Sequence, residues 1–269
     1  FYKELAFLEK SQWWSSRELE NYQNGELRKI IKHAYDTVPY YRDLFSKLRL
    51  VPDDFKTSED LKKLPLLTKD TVRDNPQSFI SRKYKKDALI HISTSGTTGK
   101  VLSVYSDPKK EYLNGGPFEW RLNRWGGYDF GDICAVFRVH FSKRNSLSKD
   151  AIYEFNPVQK KLFFSIFDID QSHIDRYVSA LRKYPVKAIQ GYPVPLKELV
   201  DMLRKNNIKC PAAPKTVFTV AEMSSSAVRQ DIESYFNCKI LDWYGMEERT
   251  VSACECERQD GYHINSEFG

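Results

Sequence analysis

The residues from Lys187 to Glu248 have the clearest structural pattern in the chain. They include KAIQGYPVPLKELVDMLRK (187–205), KTVFTVAEM (215–223), SSSAVRQDIESYF (224–236) and KILDWYGMEE (239–248). Three short apolar runs alternate here with two longer segments whose apolar residues recur at helical spacing. This β-α-β-α-β order predicts right-handed crossovers and a parallel sheet, and therefore an α/β fold.

Strands are predicted at 187–190, 215–220 and 239–243, and helices at 195–205 and 224–236. The chain leaves all parallel strands at one edge of a sheet, and ligands bind in the crevice at that edge. The inward faces of the two helices are predicted to carry Leu196, Leu199, Val200, Leu203, Val228, Ile232 and Tyr235. The segments that follow the strands are Gly191-Tyr192-Pro193, Ala221-Glu222-Met223 and Tyr244-Gly245-Met246-Glu247-Glu248.

Upstream, two strands at 88–93 and 101–105 flank the loop Thr94-Ser95-Gly96-Thr97-Thr98-Gly99-Lys100, which predicts a hairpin. Glycines free backbone N–H groups, hydroxyls add donors and a lysine adds positive charge, so the loop suits a polyphosphate. It lacks the spacing and the following helix of a Walker loop. The alternative is an ordinary surface turn.

The first 87 residues have helical signals, with an apolar stripe formed by Leu27, Ile30, Ile31 and Ala34. Ser58 and Thr68 are predicted helix N-caps. A further helix is predicted from Asp107-Pro108 to Trp125. The predicted organisation is a helical segment (1–87) packed on an α/β nucleotide-binding core (88–269).

Composition narrows the class of protein. The 269 residues have a net charge of +6, 41% hydrophobic and 14% aromatic residues, and a mean hydropathy of −0.57. The weak, scattered charge argues against a nucleic-acid partner, and the absence of an apolar run of about 18 residues argues against a membrane span. The odd number of cysteines, five, indicates a reducing compartment, so a soluble cytoplasmic protein is expected.

Residues 244–248 follow a predicted buried strand. A tyrosine there can stack on an adenine, the glycine permits a sharp turn, and a carboxylate can reach the divalent cation that accompanies phosphates. The alternative is a strand end with solvated glutamates.

Together, the 94–100 loop, Gln190-Gly191-Tyr192-Pro193, Ala221-Glu222 and Tyr244-Gly245-Met246-Glu247-Glu248 resemble the motifs of the adenylate-forming enzymes, in their order and approximate spacing. Within that superfamily the chain resembles the phenylacetate–CoA ligases and the CapK group of capsule biosynthesis. The opening Leu27–Ala34 and Val38-Pro39-Tyr40-Tyr41-Arg42 are also similar to that group. The resemblance implies the large N-terminal domain of such an enzyme, with parallel sheets flanked by helices.

The resemblance also assigns roles. It implies that Ser95, Gly96, Thr97, Thr98, Gly99 and Lys100 hold the ATP phosphates, with Thr97, Lys100 and Glu248 catalytic and Glu248 binding Mg²⁺. Ala221, Glu222, Tyr244 and Gly245 would form the adenine pocket, and Gly191, Tyr192 and Pro193 would border the acyl pocket. Two departures are Glu247, where relatives usually carry Ser or Thr, and Val101, where many carry Pro.

The implied activity is ATP-dependent activation of a small carboxylic acid to an acyl-adenylate, which is then passed to CoA. One alternative is a CapK-like enzyme that gives the acyl group to an amine or a carrier protein in surface-polysaccharide synthesis. Another, suggested by Glu247, is a nucleotide-binding protein without turnover. A homodimer is left open. The resemblance implies a small C-terminal domain, which relatives carry and which we expect to be needed for turnover. We expect it either in a continuation of the chain beyond Gly269 or in a separate partner chain.

A second cluster consists of Cys254, Cys256 and His263. Thiolates and imidazole are zinc ligands, so the three residues are predicted to share a structural zinc, with His140 or Cys134 as a candidate fourth ligand. Zinc cysteine pairs usually have two to four intervening residues, however, and free cysteines usually pack as small hydrophobes. Packed thiols are therefore the alternative.

Overall fold

A computed structural model describes residues 2–93, 101–108, 116–138, 152–246 and 250–267. These residues form two compact units. The first contains the described residues up to Glu119, Thr250, and the described residues from Asn265 onward. The second contains the described residues from Trp120 to Met246 and from Val251 to Ile264. The assignment of residues 1–87 to a helical segment and of residues 88–269 to a nucleotide-binding core stays a prediction.

The first unit opens with four helices: α1 (Tyr2–Ser11), α2 (Ser16–Thr37), α3 (Pro39–Leu48) and α4 (Lys69–Asp74). Short 3-10 turns follow α3 and α4, at Pro52–Asp54, Ser58–Lys63, Pro76–Phe79 and Lys86–Ala88. The helical character predicted for this region is confirmed.

Local capping explains where these helices begin. Ser15 and Glu18 form a capping box at the start of α2, in which the Ser15 amide donates to the Glu18 carboxylate at 2.8 Å. Thr68 caps α4, as predicted, by accepting the Thr71 amide at 3.2 Å. At the second 3-10 turn the cap is Thr57, so the prediction of Ser58 is one residue late.

A small apolar core in this unit contains Ile31, Phe45 and Phe55, with Leu27 packed against it. Ile30, predicted to share the buried stripe, is 57% exposed. Successive residues of a helix point about 100° apart, and α2 buries only a narrow face, so Ile31 occupies the core and Ile30 does not.

The same unit holds a two-stranded antiparallel sheet, β1 (Ile90–Ser93) with β2 (Ser103–Ser106), in which Ile90 pairs with Ser106. The predicted hairpin is confirmed for these strands. The loop that joins them lies outside the described residues.

The second unit is built on an eight-stranded sheet. In chain order its strands are β3 (Ile133–Arg138), β4 (Tyr153–Asn156), β5 (Lys161–Ser165), β6 (Val186–Gly191), β7 (Thr216–Val220), β8 (Lys239–Gly245), β9 (Ser252–Glu255) and β10 (Tyr262–Ile264). Their order across the sheet is β10-β9-β8-β7-β6-β3-β5-β4. Strands β5, β3, β6, β7 and β8 are mutually parallel, while β4, β9 and β10 each pair antiparallel with their neighbours.

Helices cover the sheet, and the predicted β-α-β-α-β order is confirmed. They are α5 (Gly116–Trp125), α6 (Ile174–Lys183), α7 (Pro193–Lys205) and α8 (Ser226–Phe236). Helix α5 ends at Trp125 as predicted. Helix α7 begins at Pro193, two residues earlier than predicted, because proline is tolerated in the first turn, where N–H groups have no partner within the helix.

The main core lies between the sheet and helices α6, α7 and α8. The predicted inward residues Leu196, Leu199, Val200 and Leu203 are all fully buried there. A second apolar cluster on the opposite face includes Leu122 of α5 with Val136, Phe218 and Leu241 of the sheet. None of the helices in the described ranges has a stretch long and apolar enough to span a bilayer.

Candidate functional site

The carboxyl edge of the second unit's sheet collects the segments that the sequence singled out. Gly191 ends β6, Val220 ends β7 and Gly245 ends β8, and these three strands are parallel neighbours. Within this register Gly191 pairs with Thr219, and Thr219 pairs with Asp242. The topological prediction that these segments share one edge is therefore confirmed, while the roles of their residues remain predictions.

The end of β7 turns sharply at Ala221. Its backbone φ of 67° lies in the left-handed region, which residues other than glycine rarely adopt. The Glu222 amide donates to the Val220 carbonyl at 2.9 Å, which closes a tight turn. Ala221, Glu222 and Met223 are exposed, with Met223 at 94%. The turn presents these residues to solvent, where a ligand can reach them.

Strand β8 continues through the glycine at its end. Gly245 still pairs with Ser252 of β9 and is absent from the positive-φ glycines. The sharp turn that this glycine permits stays a prediction, because residues 247–249 lie outside the described part of the chain. A Cβ at Gly245 would meet nothing closer than 3.9 Å. The neighbouring Tyr244 ring is 55% exposed. An exposed aromatic ring is a suitable surface for stacking a planar base.

The end of β6 is tightly packed. A Cβ at Gly191 would lie 3.0 Å from the Phe137 Cβ and 3.2 Å from the Leu196 Cγ, so a larger residue here would push α7 away from the sheet. Tyr192 is half-buried at the N-cap of α7, and Pro193 is buried. The three residues predicted to border an acyl pocket thus form the strand-to-helix turn at this edge.

Several predicted residues lie outside the described part of the chain. They are Ser95, Gly96, Thr97, Thr98, Gly99, Lys100, His140, Glu247 and Glu248. The predicted phosphate loop and magnesium carboxylate therefore remain predictions from the sequence.

A buried polar network beneath the carboxyl edge was missed by the sequence reasoning. Asp242 of β8 is 7% exposed and Glu255 of β9 is 6% exposed. Both Glu255 oxygens accept from the Arg229 guanidinium of α8, at 3.0 and 2.7 Å. The available signal was Asp242 itself, an acidic residue at an inward position of the otherwise apolar run Ile240–Trp243, because buried carboxylates need partners.

The pKa values of Tyr262 and Arg229 are both shifted by this network. Burial, then the hydrogen bond to Asp242, raises the pKa of Tyr262 above the ordinary value for tyrosine. Burial acts to lower the pKa of Arg229, but its bonds to Glu255 and the nearby carboxylates outweigh that effect and raise it. Tyr262 therefore stays a hydroxyl donor and Arg229 stays a cation at neutral pH.

The zinc prediction is wrong. Within the described ranges, which include Cys254, Cys256 and His263, no three His, Cys, Asp or Glu side chains are grouped to hold a metal ion. Cys254 and Cys134 are 2% exposed in the apolar cluster beside α5. The His263 ring packs edge-on against Trp125, with centroids 5.1 Å apart. The thiols thus pack as small hydrophobes, and the imidazole contacts an aromatic ring.

Comparison with known proteins gives matches over most of the chain. It is 40% identical over 243 residues to the phenylacetate-coenzyme A ligase of Aromatoleum evansii, covering 90% of this chain and 53% of the relative. It is 28% identical over 267 residues to the Pseudomonas putida phenylacetate-coenzyme A ligase, covering 95% and 58%. It is 23% identical over 252 residues to Protein CapK of Staphylococcus aureus, covering 92% and 53%. No protein-family model matches the chain.

Solved structures show the same fold. A 2-hydroxyisobutyryl-CoA ligase in an open conformation, in complex with 2-HIB-AMP and CoA, matches with a TM-score of 0.65 and 18% identity, over 89% of this chain and 57% of that one. The postadenylation state with 2-HIB-AMP matches with a TM-score of 0.67 and 17% identity, over 92% and 53%.

The resemblance to the phenylacetate–CoA ligases and CapK is thus confirmed, and the chain has the fold of adenylate-forming enzymes. It spans about half the length of the curated relatives that it matches.

Proposed function

We propose that this chain binds ATP and contributes to activating a small carboxylic acid as an acyl-adenylate that is passed to CoA. The observation that carries the proposal is the convergence of Gly191, Ala221 and Tyr244 at one carboxyl edge. It is supported by the 40% identity to a phenylacetate-coenzyme A ligase over 90% of the chain.

The chemistry would proceed in two displacements. A carboxylate oxygen attacks the α-phosphorus of ATP and pyrophosphate leaves, which gives a mixed anhydride. A thiolate then attacks the acyl carbon and AMP leaves. Neither step needs a protein nucleophile, so the chain would act by orienting its substrates and by stabilising charge.

Each candidate site residue has a proposed role in this scheme. Tyr244 would stack on the adenine, and the exposed turn at Ala221 and Glu222 would line its pocket. The tight turn at Gly191, Tyr192 and Pro193 would border the acyl group. Of the residues outside the described ranges, Ser95–Lys100 would bind the phosphates, with Thr97 and Lys100 catalytic. Glu248 would hold Mg²⁺, which neutralises phosphate charge.

Nucleotide binding is the first test. Isothermal titration of the chain with AMP, and with ATP and Mg²⁺, should show saturable binding. No heat of binding at millimolar nucleotide would contradict the proposal.

The reaction is tested in the complete gene product. ATP–pyrophosphate exchange over a panel of carboxylic acids should identify the acid, and the acceptor that then consumes the adenylate decides between two outcomes. CoA consumption would support a CoA ligase. Transfer to an amine or carrier protein would support the CapK-like alternative. That alternative is included because the match to CapK covers 92% of this chain. Nucleotide binding without exchange would indicate a binding protein.

The metal ligand gives a matched pair of variants. Glu248→Gln should abolish Mg²⁺-dependent exchange, because the last glutamate of the motif is the proposed ligand, whereas Glu247→Gln should have a mild effect. Exchange rates measured against Mg²⁺ concentration check this. The opposite ranking would move the metal carboxylate to Glu247.

A further inference from the structure

A single row of side chains crosses four neighbouring strands beneath the carboxyl edge. Thr219 of β7 pairs with Asp242 of β8, and Tyr262 of β10 pairs with Glu255 of β9. Because Trp243 pairs with Cys254, the preceding Asp242 lies beside Glu255, and the Asp242 amide donates to the Glu255 carboxylate at 2.9 Å. The row therefore joins the edge strand β10 to the strands that carry the candidate site.

Asp242 is held from both sides. The Thr219 hydroxyl donates to one carboxylate oxygen, and the Tyr262 hydroxyl donates to the other at 2.5 Å. Tyr262 reaches across β9 to make this bond, since neighbouring strands are about 4.8 Å apart. Both donors are neutral hydroxyls, so they orient a carboxylate without cancelling its charge.

The backbone under Asp242 is fixed separately. Arg229 of α8 binds Glu255 through both terminal nitrogens and also donates to the Ile240 carbonyl at 2.5 Å. The Ile240 amide donates to Glu233 at 2.8 Å. The strand is thus anchored by charged groups, and the hydroxyl of Tyr262 adds only an orienting bond to the side chain of Asp242.

The exposure of Tyr262 argues that this bond does more than fill the core. The residue lies on a three-residue edge strand and is 46% exposed, so little packing depends on it. Its hydroxyl nevertheless makes a short bond to a buried carboxylate. Asp242 lies two residues before Tyr244, and Thr219 lies two residues before Ala221, so this one carboxylate joins the ends of both strands.

We propose that Tyr262 is a positioning residue for the nucleotide site, acting through Asp242 to align the carboxyl ends of β7 and β8. The proposal rests on the proposed function for its ligand. Its structural part, that the Tyr262 hydroxyl restrains the ends of both strands, stands independently of the ligand.

The test compares Tyr262→Phe with Tyr235→Phe. Both remove a single tyrosine hydroxyl from the second unit, but the Tyr235 hydroxyl donates to the Ile208 carbonyl at 2.8 Å, away from this row. Tyr262→Phe should weaken AMP binding about tenfold, because the carboxyl ends of β7 and β8 lose their shared restraint. It should lower the urea midpoint of unfolding about as much as Tyr235→Phe does, because each variant loses one hydrogen bond. Tyr235→Phe should leave AMP binding unchanged.

A second measurement does not need the ligand. Hydrogen exchange followed by mass spectrometry on the nucleotide-free protein should show faster exchange in peptides covering 216–223 and 239–246 for Tyr262→Phe, and not for Tyr235→Phe. Thr219→Val should behave like Tyr262→Phe, and Thr219→Ser, which restores a hydroxyl, should recover the wild-type AMP affinity.

The outcomes separate the two proposals. If the wild-type protein does not bind AMP, the proposed function fails. Hydrogen exchange alone then tests whether the Tyr262 hydroxyl restrains the ends of β7 and β8. Two results would show that Tyr262 is not a positioning residue. One is that Tyr262→Phe changes neither the AMP affinity nor the hydrogen exchange. The other is that it changes both of them no more than Tyr235→Phe does.

Discussion

At the scale of single residues, the candidate site combines backbone strain with exposure. Ala221 adopts a left-handed conformation at the end of β7, where a glycine would be unstrained. Tyr244, near the end of the neighbouring strand β8, is a large aromatic residue that is 55% exposed. Conformations of this kind cost free energy, and they cluster at sites where a ligand uses the geometry.

The strain at Ala221 predicts an unusual order of substitutions. Ala221→Gly should leave the free energy of unfolding nearly unchanged, because the relief of strain offsets the larger entropy of the unfolded chain. Ala221→Val should cost about 2 kcal/mol, because a branched Cβ tolerates a positive φ poorly. Urea denaturation measures both. Ala227→Val, on the exposed first turn of α8, is the control and should have a small effect.

The exposure of Tyr244 makes it a clean test of stacking. Tyr244→Ala should weaken AMP binding by about 1–3 kcal/mol, as base–aromatic stacking does in nucleic-acid complexes, with little loss of stability. Tyr244→Phe keeps the ring and should keep the affinity. Calorimetric titration distinguishes the variants, and equal affinities for alanine and wild type would show that the ring does not contact the base.

At the scale of elements, helix α8 is joined to the sheet by charge as well as by apolar packing. Ile232 and Phe236 bury its apolar face, and Arg229 reaches Glu255 on β9. The Glu255 side chain is 8% exposed and that of Arg229 is 21% exposed, so this ion pair is largely shielded from solvent. Removing one partner of such a pair leaves an unpaired buried charge.

The pair between α8 and β9 should therefore respond strongly to substitution. Arg229→Met should lower the free energy of unfolding by about 3 kcal/mol, as expected for a broken buried pair. Lys32→Met breaks the exposed pair with Asp36 on α2 and should give no measurable change. Guanidinium denaturation of both variants checks the difference. A stability loss as small as that of Lys32→Met would show that solvent reaches the Arg229 charge.

At the scale of the whole molecule, the five cysteines are distributed through the second unit and none is in a disulfide. Cys134, Cys254 and Cys256 are buried, while Cys210 and Cys238 are partly exposed. Burial raises the pKa of Cys238 to about 12 and also raises the pKa of Cys210. Only the thiolate is nucleophilic, so the native molecule should contain little reactive thiol at neutral pH.

This distribution predicts the pH dependence of thiol labelling. In native protein at pH 8, labelling of Cys238 by iodoacetamide should be slow and should rise about tenfold per pH unit up to pH 10, because the thiolate fraction stays small below the raised pKa. In urea all five thiols should react quickly. Peptide mass spectrometry identifies the labelled residue, and fast labelling of native Cys238 at pH 8 would mean that its surroundings stabilise the thiolate.

The parallel core, and the edge at which its candidate residues meet, could be predicted from the amino-acid pattern. Periodicity identified Leu196, Leu199, Val200 and Leu203 as buried, because a helix on a sheet must bury its apolar face. The order of strands and helices then placed Gly191, Ala221 and Tyr244 at one edge, because right-handed crossovers leave no other arrangement.

The contacts among the polar side chains could not be predicted from the amino-acid pattern and are known from the fold alone. Asp242, Glu255 and Tyr262 lie on separate strands, and their contacts depend on the register of β8, β9 and β10, which no local pattern records. The same register places His263 opposite Cys254. The imidazole ring of His263 nevertheless packs against the Trp125 ring. Local patterns fix which face of an element is apolar, whereas contacts between elements follow from how whole strands align and pack.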